Sequence, residues 1–366
     1  MPRNRVHPSA VALITLLGLA AVGGVTSATA TGSGAGGGSR HARFQIVWTH
    51  SRGPSQTMTT NGEIFDMNDD GSEQRNLSRH SAHNSEPAWS PDGRKVAFIS
   101  RRDGRREIYV VNADGSGLQR LTNSPKGEYV PTWSPDGRKI AFLRLKWQRG
   151  ELYVMNADGS GQRRLIPRTG DKPVWGAPPV GAAWSPHGRT LGFSMNGDVY
   201  VINADGSGLR NLTHNPANDS FHTWLPGGRI VFSSDRDGGN EAYVMNADGS
   251  GLRNVSRGWP PTYGGPWVAW SPSGKRVAYV FGPSSTLYVM NADGSGRRKL
   301  VDRVQYDIPP SWSTDGQRIA FEKHLGSWER GNREIFIVNT DGSGLQRLTR
   351  RPGHDDFPVW SPVRTG

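Results

Sequence analysis

The sequence predicts an all-β fold, a seven-bladed β-propeller of four-stranded antiparallel blades closed by pairing of the N-terminal and C-terminal strands. Three observations predict it. First, the hexapeptide N-A-D-G-S-G begins at Asn112, Asn156, Asn203, Asn246 and Asn291, with edited copies at Asn68 and Asn339, and successive copies start 43 to 48 residues apart. A fixed period of that size marks one supersecondary unit stacked on its neighbours. Second, a tryptophan followed by S-P or a variant recurs at Trp89, Trp133, Trp184, Trp224, Trp270, Trp312 and Trp360. Third, the chain opens with a strand-like RFQIVW that lacks a preceding Trp segment and closes with FPVWSP, which has no continuation. Pairing Phe357–Ser361 with Phe44–Trp48 would complete a seventh blade and remove two open sheet edges.

Each repeat reads as four short strands. In YVPTWSPDGRKIAFLRL and the following ELYVMNADGSGQRRLI, the segments ending at Trp133, at Leu143, at Met155 and at Ile166 are apolar, alternating or rich in β-branched residues. The turns between them carry their own chemistry. Ser134-Pro135-Asp136-Gly137 has Ser first, Pro second and Gly fourth, the preferences of a type I turn, and Asn156-Ala157-Asp158-Gly159 repeats that logic. Both turns join strands adjacent in sequence, so each unit is an up-and-down sheet.

Residues 1–30 read as a secretory signal peptide. Arg3, Arg5 and His7 precede an apolar run from Ala10 to Val25, and Ala28-Thr29-Ala30 offers a small-residue cleavage pattern. Residues 31–42 read as a Gly/Ser-rich flexible tether, and residues 43–366 as the propeller. The expected location is extracytoplasmic, secreted, periplasmic or associated with the cell envelope, with no transmembrane span after cleavage. The chain has no cysteine, which excludes disulfides, thiolate metal sites and cysteine nucleophiles. Its net charge of +12 recurs at one address per repeat, as in Arg94 and Lys95, Arg138 and Lys139, or Lys275 and Arg276. That pattern solvates a rim and does not build a nucleic-acid stripe, so no nucleic-acid partner is expected.

The units WSPDGRKVAF and WSPDGRKIAF, each followed by EIYVVNADGSG or ELYVMNADGSG, closely resemble the WD-repeat-like propeller repeat of the TolB family. The resemblance implies a propeller over nearly all of the chain after the tether. It says little about activity, because such blades serve binding proteins, peptidase domains and lyases alike. TolB itself resembles an α/β domain followed by six blades, whereas here a tether precedes the first strand and the Trp count reaches seven. No G-x-S-x-G elbow occurs.

Strand alternation puts the S-P-D-G and N-A-D-G-S-G turns on one face and the remaining loops on the other. The turns are nearly invariant in length, while the loops range from SMNGD at Ser194 to THSRGPSQTMTTNGE at Thr49. Length variation gathered on one face marks the expected binding face. There the sequence places His83, Glu86, Tyr129, Trp175, His222, Trp259, Tyr263, Tyr306, His354 and Asp355, an aromatic and polar mixture suited to peptide or sugar. His83, His222 and His354 are the candidate metal ligands, should imidazoles from separate blades converge. The Asn and Asp oxygens of the hexapeptide turns read as turn caps and not as calcium ligands, which require more carboxylates. The expected function is non-catalytic binding of a protein, peptide or cell-envelope glycan, with no cofactor. The enzyme alternative is a metal-assisted polysaccharide lyase or hydrolase at the channel mouth. The sequence sets no oligomeric state.

Overall fold

The computed structural model describes residues 44–52, 61–146, 149–166, 180–256, 268–281, 284–305, 308–326 and 331–363. The expected signal peptide and tether lie outside the described residues. Among them, no helix is long and apolar enough to cross a membrane.

In chain order the strands are β1 (Gln45–Ser51), β2 (Gly62–Asn68), β3 (Arg75–Asn76), β4 (Asn84–Trp89), β5 (Lys95–Ser100), β6 (Glu107–Asn112) and β7 (Gln119–Arg120). They continue with β8 (Gly127–Trp133), β9 (Lys139–Lys146), β10 (Arg149–Asn156), β11 (Arg163–Arg164), β12 (Val180–Trp184), β13 (Thr190–Met195), β14 (Asp198–Asn203) and β15 (Arg210–Asn211). Next come β16 (Asp219–Trp224), β17 (Ile230–Ser234), β18 (Glu241–Met245), β19 (Arg253–Asn254), β20 (Val268–Trp270), β21 (Arg276–Phe281), β22 (Thr286–Asn291) and β23 (Arg298–Val301). The last are β24 (Ser311–Trp312), β25 (Arg318–Leu325), β26 (Asn332–Asn339), β27 (Gln346–Arg347) and β28 (His354–Trp360).

Seven separate four-stranded blades do not form. Five four-stranded blades are present, β4–β7, β8–β11, β12–β15, β16–β19 and β20–β23, and the other eight strands make one sheet. Its order is β24-β25-β26-β28-β1-β2-β3, with β27 on β26. The cause is local. β25 and β26 are eight residues each, longer than most of their counterparts, and at their far end Arg333 pairs in parallel with His354 of β28. That single backbone bridge turns two potential blades into one sheet. Within it β28 pairs with β1 antiparallel, Ile46 opposite Trp360 and His50 opposite Asp355, so the two ends of the described chain share a sheet.

The repeat's grammar appears as hydrogen bonds. In the Ser90–Gly93 turn Gly93 N–H donates to Ser90 O at 2.9 Å, and Asp92 Oδ1 accepts from Ser90 Oγ at 2.6 Å and from Arg94 N–H at 3.1 Å. In the hexapeptide at Asn112, Gly115 N–H reaches Asn112 O at 2.8 Å and Ser116 N–H reaches Asp114 Oδ1 at 2.8 Å. A threonine or serine after the fourth strand accepts the N–H of a third-strand residue, as Thr122 does from Ile108 at 2.8 Å and Thr349 from Ile335 at 2.9 Å. Between these polar ties, aromatic pairs such as Phe98 with Tyr109 and Phe142 with Tyr153 stack across second and third strands.

The tryptophans tie each inner strand to the one before it. Indole N–H groups donate to the residue preceding the neighbouring tryptophan: Trp133 to Ala88 O, Trp184 to Thr132 O, Trp224 to Ala183 O, Trp312 to Ala269 O, Trp360 to Ser311 O and Trp89 to Val359 O. These bonds span 2.8 to 3.2 Å. Trp270 is the exception, its buried indole nitrogen having no acceptor. The inner strand before it is also built differently: the bulge in β16 leaves His222 alone out of register, whereas those in β4, β8 and β12 set two residues opposite one.

Candidate functional site

Inner strands bulge where they approach the variable-loop face, and Glu86, Val130 and Phe357 adopt left-handed backbone at φ 57°, 51° and 58°. Each of the last two is held there by a carboxylate from the adjacent repeat. Glu86 Oε2 accepts from Val130 N–H at 2.6 Å, and Glu322 Oε1 accepts from Phe357 N–H at 2.6 Å. Ser194 Oγ does the same for Phe221 N–H at 2.6 Å. Glu86 is therefore a strut between repeats. Burial raises its pKa, against the opposing pull of Arg106 and the Val130 N–H.

Arg106 organises what surrounds Glu86. Its guanidinium donates to Glu86 Oε1 at 3.0 Å and lies 4.6 Å from the Tyr129 ring centroid. It also helps hold His83 neutral: burial, then Arg106 and Arg101, push that imidazole down to about 4. The structure thus gathers His83, Glu86 and Tyr129 around one buried arginine whose Nε has no partner. Sequence reading missed Arg106, which sits among Arg101, Arg102 and Arg105 in a run that reads as solvated charge. Nothing local distinguishes it; its partners lie 20 residues or more away.

The other expected residues separate. His222 occupies the bulge of β16, pushed down to about 4 by burial, with a buried and unpartnered Nε2. His354 and Asp355 lie in the joined sheet. Asp355 is fully buried and engaged by Trp48 Nε1 at 2.9 Å and His50 Nδ1 at 2.8 Å, so it braces the closure and is not displayed. His354 is buried beside it and likewise pushed down to about 4, by burial and then by Arg333 and His324. Trp175, Trp259, Tyr263 and Tyr306 lie outside the described residues. Among the described residues no set of His, Asp and Glu is arranged to hold a metal ion.

A cavity of about 100 Å³ lies elsewhere, toward the S-P turns, where inner strands β16, β20, β24 and β28 come together. Trp224, Trp270, Trp312, Pro226, Pro272 and Phe357 form much of its wall, and none of its lining residues is charged. It contains none of the ten residues singled out from the sequence. An uncharged wall offers no acid, base or ligand set for catalysis.

A family model described as the TolB beta propeller domain matches residues 55–178 and 121–265, together more than half of the chain. The chain belongs to the TolB β-propeller family. No curated protein matches it in sequence. Among solved structures it is similar to TolB from Acinetobacter baumannii, at 19% identity and a TM-score of 0.54, covering 87% of this chain and 66% of that one. It is also similar to an oligogalacturonate lyase in complex with manganese, at 14% identity and 0.59, covering 85% and 86%. A Mycobacterium tuberculosis puromycin-hydrolyzing peptidase aligns at 15% identity and 0.62, over 85% of this chain and 53% of that one. The chain therefore spans about two thirds of the TolB and about half of the peptidase. Identities this low establish the propeller alone, and the TolB fold is shared by binding proteins and enzymes.

Proposed function

We propose that this TolB-family propeller is exported and binds a protein, peptide or cell-envelope glycan through its variable-loop face without catalysing a reaction. The observation that carries the reading is the group around Arg106. It places an aromatic ring, a carboxylate, a guanidinium and a neutral imidazole side by side on the face where loop lengths vary. Tyr129 supplies a flat apolar surface, and the polar groups supply directional hydrogen bonds, the combination that recognises a sugar ring or a peptide backbone. The binding reading is favoured by the dispersal of His83, just before β4, His222 in β16 and His354 in β28 over three repeats. The expected extracytoplasmic location rests on the N-terminal sequence.

The test is affinity capture from envelope fractions, followed by titration of the captured protein or glycan against the wild type and Tyr129→Ala. A loss of roughly tenfold or more in affinity, with an unchanged melting temperature, supports the face. Equal affinity would move the site elsewhere. Release of unsaturated products from polyuronates by the purified protein would replace the binding reading with the lyase reading.

A further inference from the structure

The acid five residues before an inner-strand tryptophan is clamped by arginine in two separate blades. Arg144 Nε meets Glu128 Oε1 at 2.8 Å and Arg236 meets Asp219 Oδ1 at 3.0 Å, and each guanidinium stacks on an aromatic pair. In the joined sheet the same position is Asp355, and its partner is not an arginine but His50, whose Nδ1 lies 2.8 Å from Asp355 Oδ1. His354 pairs with Ser51 in the β1–β28 ladder and also forms the bridge to Arg333. Its Nδ1 is buried without a partner.

We infer that this junction is an acid-released clasp: protonation of His354 beside the cationic Arg333 parts β26 from β28, while the His50–Asp355 contact and the longer β1–β28 pairing keep β28 on β1. The charges around it divide the two effects. β26 presents Arg333 and Glu334, β25 presents Glu322, Lys323 and His324, and β28 presents Asp355 and Asp356. β1 presents His50, opposite Glu63 of β2, and Arg351 lies 4.4 Å from the Phe65 ring on which His50 also packs. Arg333 is held to Asp356 at 2.8 Å, so a new positive charge on His354 stands against a fixed cation. Burial, Arg333 and His324 all keep His354 neutral, which places its charging well into acid. Its contribution is present above the ordinary histidine range near 6.5 and is lost as the pH falls toward about 4. Only one backbone bridge joins β26 to β28, whereas β1 and β28 pair along their length. The weaker junction therefore opens first, and it opens at the variable-loop end of the β25–β26 hairpin.

Amide hydrogen exchange of the full chain, corrected for intrinsic rates at about pH 7.5 and about pH 4.5, tests this. Protection of residues 332–335 should fall roughly tenfold more than that of residues 46–49 in β1, and His354→Gln should abolish the difference. Uniform loss across the two segments, or a selective loss that persists in His354→Gln, would overturn the clasp. His222→Gln serves as the control for acid sensitivity elsewhere and should leave the selective loss in place. Because the wild-type comparison needs no variant, a misfolded substitution does not remove the test.

Discussion

Trp133 donates its indole N–H to the carbonyl of Ala88 at 3.2 Å, one inner strand to the next. The bond makes each tryptophan both core and mortar. Its aromatic body fills the space between neighbouring sheets, and its one polar atom satisfies a carbonyl that would otherwise be buried without a donor.

Replacing Trp133 by Phe should therefore cost about 1–3 kcal/mol, from the lost bond, the orphaned carbonyl and the smaller ring. Trp270 has no such bond to lose. Trp270→Phe should be milder by about 1 kcal/mol. Urea midpoints of the two variants against wild type check the difference, and equal losses would show that the indole bonds contribute nothing.

Glu86 braces Val130 and neutralises Arg106. Removing its carboxylate with Glu86→Ala leaves a largely buried guanidinium uncompensated and should cost roughly 2–4 kcal/mol. Glu86→Gln keeps an acceptor for Val130 and should cost less. Thermal denaturation of the pair separates the strut from the charge.

Three histidines, one buried and two half-buried, and two buried carboxylates pull stability in opposite directions with pH. His83, His222 and His354 are pushed down to about 4, so their stabilising contribution is present above about 6.5 and lost as pH falls toward 4. Glu128 is pushed up to about 7 and Asp66 to about 6, both chiefly by burial, so theirs is present in acid and lost as pH rises through those values. His222 is governed by burial alone. His222→Gln should flatten the decline in melting temperature between about pH 6 and pH 4 while leaving the range above pH 7 unchanged.

Two glycines of similar backbone conformation should respond differently to alanine. Gly159 has φ +89°, and an added Cβ would come within 2.8 Å of Leu121 O. Gly104 has φ +90° with nothing within 4 Å. Gly104→Ala should cost about 1 kcal/mol of backbone strain, and Gly159→Ala about 2 kcal/mol or more. Melting temperatures of the two variants decide whether the close approach adds to the strain.

What the sequence revealed was whatever repeats. The tryptophans, the S-P-D-G turns and the hexapeptides each stand at one address per unit, and the strands and turns fall where those marks put them. The separation into seven blades failed on a singular feature, the Arg333–His354 bridge, for which no other repeat offers a template. The site divided in the same way. Glu86 was visible as a polar residue before an inner-strand tryptophan, but its role as a strut depends on Val130, 44 residues on. Asp355 looked exposed by analogy with loop residues, yet its partner His50 lies 305 residues away in sequence. The return of the chain on itself was legible from the phase of its two end segments, but which side chains meet across it leaves no local trace.

The pairing of β1 with β28 has a consequence for how the protein is made. A ribosome delivers His50 305 residues before its partner Asp355, so one edge of β1 waits unpartnered while the repeats between them are made. Contacts of such long sequence separation are slow to form, and an exposed edge is a template for wrong partners. Vectorial synthesis thus leaves β1 exposed until β28 arrives, and a chaperone that shields that edge until then would raise the yield of folded protein.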